Sequence, residues 1–478
     1  MPRLTRADGE GDIFGMTASK NELMRKLPQI DRLADVPSIA SAASVLGRRT
    51  ALHFCRKRVE LAKIAAETEG LEPNFDHISQ EVIADIERMK GQLLRPVING
   101  TGILLHTNLG RAPLGESLFR EMAPLVAGYC NLEIDIEQRQ RGVRAPGVAG
   151  LLRQLCGAED AVVVNNNAAA LFLTLSSLAK GREVIVSRGE LVQIGGGFRI
   201  PDILRDSGAT LVEVGTTNIT TAEDYASAVT ENTALVLSVH RANFTMRGFV
   251  RAPGLSEIRD AVERSIPVVF DLGSGNLMRE AGGCRINEPT PEQALRQGAD
   301  LVCFSCDKMI GSTQAGVIAG KESLVRMLKQ HPVMRVVRPG KLTFAALQVV
   351  LIRYLSGNAE ELPLWKAASA SVDDLHARVR RFIDTYGLDP LLFEPCPCDS
   401  TFGGGTGPEE RIPSFGLRIR GLRADAAAGA FQQHTPPVVG RIVDGWFLLD
   451  FRTIDSSEEE AVASACRSAM MSPGTQCV

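Results

Sequence analysis

Between residues 160 and 305 the chain repeats one pattern, a short apolar run, a turn, and a longer amphipathic stretch. The runs are Ala161–Val164, Glu183–Val186, Thr210–Val214, Ala234–Val239, Pro267–Phe270 and Leu301–Phe304. Each is of strand length, rich in β-branched residues and bounded by turn residues. The stretches between them carry helical spacing. Alternation of this kind predicts a mostly parallel sheet with helices on both faces.

The flanking regions read differently. Residues 1–20 are polar and predict a loose tail. Leu27, Ile30, Leu33 and Val36 recur at helix spacing, as do apolar positions from Thr50 to Thr68, so residues 1–75 predict a helical N-terminal domain. A helix around Ile78–Leu94, ended by Pro96, predicts a linker over residues 76–95. The sheet region and the long apolar helix Leu342–Tyr354 predict a core over residues 96–355. Residues 356–478, with strands Ser414–Ile419 and Trp446–Phe451 among helices, predict an α+β domain.

Bulk properties narrow the partners. A net charge of −3 argues against a generic polyanion binder, so any nucleic-acid contact needs a local basic patch. Ten cysteines lack paired zinc spacing, Cys396 and Cys398 being separated only by Pro397, and read as reduced thiols. Charged residues interrupt the N-terminus, and no stretch is apolar enough for a bilayer, so a cytoplasmic location is expected.

In open parallel sheets, ligands bind where the strands end. After Ala161–Val164 comes Asn165, Asn166, Asn167 and Ala168, opening a helix whose free N–H groups suit an anion. Taken alone, a plain helix cap explains this run as well. After Pro267–Phe270 stands Asp271, beside Gly273 and Gly275, able to hold a protonated ring nitrogen or simply to form a turn. After Leu301–Phe304 come Ser305, Cys306, Asp307 and Lys308. A lysine at a buried strand end loses charge by desolvation and becomes a competent Schiff-base amine. A phosphate cradle, then an Asp, then Ser-x-x-Lys is the order of aminotransferase-type (fold type I) pyridoxal 5′-phosphate enzymes. In that frame Lys308 carries the cofactor, Asp271 keeps its ring nitrogen protonated, Ser305 reaches its phosphate, and Asn166, Asn167 and Ala168 cradle it.

Around these residues the sequence resembles the bacterial L-seryl-tRNA(Sec) selenium transferases. The resemblance runs through Val97–Asn99, His106–Ala112, Asn131–Glu133, Val163–Ala170, Ser187–Val192, Phe198–Pro201, Gly215–Asn218, Asp271–Gly275 and Asp307–Lys308, with later matches at Gly403–Gly405, Pro436–Val438 and Leu449–Thr453. It implies that Lys308 is the cofactor lysine, that Arg111, Arg335 and Arg338 bind the phosphate-like part of the selenium donor, and that Asp307 works beside them. It also implies a tRNA-gripping N-terminal domain, where Arg48, Arg49, Arg56, Lys57 and Arg58 form a basic cluster. A solvated helix face explains any one of those five equally well. The expected reaction turns seryl-tRNA(Sec) into selenocysteinyl-tRNA(Sec) with selenophosphate, through a cofactor-bound aminoacrylyl-tRNA, in a homo-oligomer such as a ring of dimers. A related lyase acting on a small amino acid or amino-sugar phosphate is the alternative. The chain departs from the family at Cys306, Gln193, Ile219, Ala145 and Gly147.

Overall fold

The computed structural model describes residues 20–194, 197–281, 284–407 and 410–471. The expected loose tail therefore lies outside the described residues, apart from Lys20. The chain divides into two compact units, Met1–Pro96 and Val97–Val478.

The first unit is helical: Lys20–Arg25, Ile30–Ala34, Pro37–Ala42, Arg48–Glu69 and Phe75–Gly91. Asn74 starts the last of these, its side chain accepting from the His77 N–H at 2.9 Å. Ile78, Val82 and Ile86 form a stripe four residues apart, and they are buried with Leu33, Ile39, Ala51 and Cys55. The helix expected to be a linker is thus packed into this unit, because its apolar stripe needs a cover. The basic cluster is also largely spoken for. Arg48 pairs with Asp31 and Asp35, Arg58 with Glu81 and with Asp85 at 2.7 Å, and Lys57 lies 3.7 Å from Asp85. The Arg58 hydrogen bonds hold the Asp85 carboxyl down at about 2. Arg49 and Arg56 are exposed, with no ion pair among the described residues.

The second unit is built on a seven-stranded sheet. Its strands in chain order are β1 (Asp160–Val164), β2 (Glu183–Ser187), β3 (Thr210–Val214), β4 (Thr233–Val239), β5 (Val268–Gly273), β6 (Leu301–Ser305) and β7 (Gly316–Gly320). Across the sheet they run β1-β7-β6-β5-β4-β2-β3. All six strands expected from the apolar runs are present. β7 pairs antiparallel with both β1 and β6. Its link from β6 is too short for a crossover helix, so the chain can only turn back. Alternate residues feed the two faces: Val302 and Phe304 point into one core, Leu301 and Cys303 into the other. The second face is covered in part by the helix Asn167–Leu178.

Four further strands form an antiparallel sheet, β8 (Phe393–Ser400), β9 (Ile412–Ile419), β10 (Arg441–Val443) and β11 (Trp446–Asp450), in the order β8-β9-β11-β10. Helices Val372–Tyr386, Ala424–Gln433 and Glu459–Met471 cover it. Packing ignores the boundary expected at residue 355. Ile98 and Asn99 pair in parallel with Val438 and Val439, and Ile98 is buried in the C-terminal core. Conversely, Leu364 and Trp365 are buried in the main core. Arg452 fastens the two parts, its Nη1 donating to the carbonyls of Ala367, Ala368 and Ala370 and its Nη2 to that of Pro413. Buried Asp450 accepts from Ser400 and Ser414, which gives the Leu449–Thr453 run a structural reason.

Candidate active site

The site forms where β1, β4, β5 and β6 end. β1 runs into Asn165, whose N–H donates to the Val337 carbonyl at 3.0 Å. Asn166 caps the helix that follows, accepting from the Ala169 N–H at 2.8 Å. The cap and the cradle therefore coexist, since the first-turn N–H groups of Asn167 and Ala168 have no intrahelical acceptor. A Cβ on Gly316 would lie 2.1 Å from the Asn166 carbonyl oxygen, so only glycine lets β7 pass this close.

Asp271 lies on β5, almost fully buried. The Asn167 side-chain amide donates to its Oδ1 at 2.7 Å. Burial pushes the Asp271 carboxyl up, and the Asn167 hydrogen bond and the Lys308 charge offset this only in part. A carboxylate left short of positive charge suits a protonated ring nitrogen. Ser305, at the end of β6, is buried too.

Lys308 is 9% exposed, and its ammonium has no ion pair within 4 Å among the described residues. Burial lowers it most, then the charge of Arg111, against the opposing pull of Asp271, Asp307 and Glu288. The net direction is down, toward the neutral amine that attacks a carbonyl. Asp307 binds Arg111, Nη1 to Oδ2, at 2.6 Å, and its Oδ1 is buried without a partner. Arg111 itself sits at φ +65°, and the Ala112 N–H donates to the Asp307 carbonyl. The two motifs, 196 residues apart, therefore meet.

The remaining arginines lie differently. Arg338 pairs with Glu133 at 3.0 Å, a carboxylate shared with Arg141 and Arg144. Arg335 is exposed. Their segment is tied to the cradle by the Asn165–Val337 bond. Among the described residues, no hydrogen bond or ion pair joins either of them to Asp307 or Lys308.

Three residues escaped the sequence reading. His240 follows β4 directly, and its Nε2 lies 3.0 Å from Glu288. Glu288 also accepts from Ser274 and from the Gly407 N–H. Glu190 accepts from the Val239 N–H at 3.0 Å, and burial pushes its carboxyl up to about 7. His240 and Asp271 share one signal, a polar residue at the end of a buried strand. The departures are spread over the unit, Cys306 standing between Ser305 and Asp307 of the site itself. Cys306 is buried in the main core, Gln193 accepts from Arg199, Ile219 is exposed, Ala145 precedes the helix Pro146–Cys156, and Gly147 lies within that helix.

Near Lys308 and Asp271, unpaired polar atoms leave hydrogen-bonding capacity that pyridoxal phosphate would fit. Asn167 Oδ1, Asp307 Oδ1 and Ser312 Oγ are all buried without partners. Residues 97–455 match the family model for L-seryl-tRNA selenium transferase. The chain belongs to the L-seryl-tRNA(Sec) selenium transferase family. The family protein of Geotalea uraniireducens (strain Rf4) is 39% identical over 93% of this chain and 98% of its own length. That of Geobacter sulfurreducens is 39% identical over 93% of this chain and 99% of its own. Among solved structures, D-glucosaminate-6-phosphate ammonia-lyase is similar in fold, with a TM-score of 0.57 and 19% identity over 84% of this chain and 99% of that one. As a selenium transferase of fold type I, the chain is a pyridoxal phosphate-dependent enzyme. No helix among the described residues is long and apolar enough to cross a membrane.

Proposed function

We propose that this enzyme converts L-seryl-tRNA(Sec) to L-selenocysteinyl-tRNA(Sec), taking selenium from selenophosphate. The observation that carries the reading is the buried Lys308 amine, without an ion pair, beside the Arg111–Asp307 pair in a chain of this family. Bound pyridoxal phosphate supplies an electron sink for the seryl α-carbon. Lys308 holds the cofactor, and its freed amine takes the α-proton. Asp271, oriented by Asn167, holds the proton of the ring nitrogen. Ser305 and the N–H groups of Asn167 and Ala168 take the cofactor phosphate.

Lys308 would then be placed to pass that proton to the seryl oxygen, which would leave as water on the way to the aminoacrylyl-tRNA of this reading. Arg111, with Arg335 and Arg338, binds the anionic donor, and Asp307 orients Arg111. Selenium would then bond to the β-carbon while the donor's proton goes to the α-carbon, and water would cleave the selenium–phosphorus bond to release phosphate. We assign the tRNA grip to the helical unit, where Arg49 and Arg56 are the two members of the basic cluster with no ion pair among the described residues. A homo-oligomer, such as a ring of dimers, is part of this reading, as is a cytoplasmic setting.

The experiment is direct. Purified protein, seryl-tRNA(Sec) and labelled selenophosphate should yield labelled tRNA, and Lys308→Ala should yield none while also losing the borohydride-reducible cofactor adduct. A wild-type protein that leaves the tRNA unlabelled sinks the reading.

A further inference from the structure

We infer that Glu288 is a positioning residue of this site: its carboxylate sets the tautomer of His240 and fastens the Gly403–Gly407 turn beside Lys308. The inference rests on the proposed reading that this cavity holds pyridoxal phosphate.

His240 leaves β4 next to Asp271, its N–H donating to the Asp271 carbonyl at 2.8 Å. Glu288 reaches it from the loop ahead of the helix Pro291–Arg296. At 7% exposure Glu288 is nearly as buried as Asp271. Its Oε2 accepts from Ser274 Oγ at 2.9 Å and faces His240 Nε2 at 3.0 Å, while its Oε1 accepts from the Gly407 N–H at 2.9 Å. Burial pushes the Glu288 carboxyl up, but the His240 hydrogen bond, followed by its charge and the Gly407 and Ser274 donors, more than offsets it. Glu288 is therefore ionised at neutral pH.

An ionised carboxylate only accepts, so the ring proton must sit on Nε2. In the neutral ring that leaves the lone pair on Nδ1. The same carboxylate holds the turn that approaches the lysine, since a Cβ on Gly405 would lie 4.0 Å from Lys308 Nζ. Two walls of the cavity thus depend on one side chain. Other charges act here too: His240 is felt by Asp271 and Glu190, with Arg241 also beside Glu190, and Lys308 by Arg111, Asp271 and Asp307.

Glutamine separates the tautomer from the fastening. Its one oxygen can still accept from Gly407, but its amide N–H can face His240 Nε2 only if the ring proton moves to Nδ1. Glu288→Gln therefore keeps the shape and reverses the tautomer.

The test compares holoenzymes of the wild type, Glu288→Gln, His240→Gln and the double variant. The cofactor absorbance is titrated against pH without tRNA, and kcat and KM for seryl-tRNA are then measured. Glu288→Gln should retain cofactor, move the pH midpoint of the absorbance change, and lower kcat about tenfold or more with KM within about threefold. His240→Gln should move the midpoint too, and the double variant should be no worse than His240→Gln alone. An unchanged midpoint in His240→Gln overturns the inference even if Glu288→Gln does not fold. A further loss in the double variant equal to that of Glu288→Gln alone also overturns it, by showing that Glu288 acts without His240. A wild type that takes up no cofactor defeats the parent reading along with this one. Cofactor uptake with every variant unchanged defeats this one only.

Discussion

The side-chain amide of Asn167, first residue of its helix, donates to the carboxylate of Asp271 on β5 across 2.7 Å. A helix start and a strand end are thereby locked to each other at the base of the cavity. Removing the amide leaves Asp271 buried with one donor fewer, and burial already pushes its carboxyl up. Asn167→Ala should therefore weaken cofactor binding about tenfold, the cost of one charge-assisted hydrogen bond, as measured by absorbance titration of the apoprotein. Binding equal to wild type would mean that Asp271 needs no such support.

Arg111 lowers Lys308 through its positive charge, second only to burial, while Asp307, Asp271 and Glu288 pull the other way. Deleting the guanidinium removes one lowering influence, so the folded-state value of Lys308 rises. Less neutral amine is then present at a given pH. In Arg111→Ala, the pH profile for cofactor adduct formation on the apoprotein should move to higher pH. A profile at the wild-type position would place Arg111 outside the field of Lys308.

Glu190 offers a stability test. Its folded value of about 7 lies above the ordinary 4.5. Between those two pH values the folded protein holds a proton that the unfolded chain has released, so stability falls as pH rises through the window. The loss is complete above about 7 and is on the order of 3 kcal/mol. Glu190→Gln cannot ionise. Its denaturation midpoint should gain on the wild type as pH is raised from 4.5 to 7. Parallel midpoints across that range would show that Glu190 titrates normally.

In the helical unit, ion pairing sorts the arginines by role. Arg49→Ala with Arg56→Ala should weaken tRNA binding at low salt and flatten its salt dependence, with little change in thermal midpoint. Arg58→Ala instead removes the main partner of Asp85, whose side chain is 1% exposed. That change should cost roughly 1–3 kcal/mol of stability. Equal effects of both changes on tRNA binding would dissolve the distinction.

The sequence carried the strands well, because β-branched runs such as Thr210–Val214 have few other uses. It also singled out Asp271 and Lys308, polar residues that follow apolar runs and that the fold buries within reach of each other's charge. What it hid depends on pairing between distant segments. The direction of β7 follows from loop length and neighbours rather than from composition. The helix Phe75–Gly91 looked like a linker until its Ile78–Val82–Ile86 stripe was seen against Leu33 and Ile39. Arg48 and Arg58 looked free because their acidic partners lie up to 27 residues away. Glu288 had no local signature at all. Its meaning comes from His240, Ser274 and Gly407, which only the fold collects.

The pairing of Ile98 and Asn99 with Val438 and Val439, and the bond from the Gly102 N–H to Thr453 Oγ1 across 351 residues, also set a timetable. On the ribosome, the opening strand of the second unit emerges long before its partner exists. It must wait, unpaired, until nearly the whole chain has been translated. A message cut short before Val438 would leave that strand and the Ile98 side chain with nothing to cover them, so such a fragment should be a substrate for chaperones and proteases rather than a smaller enzyme.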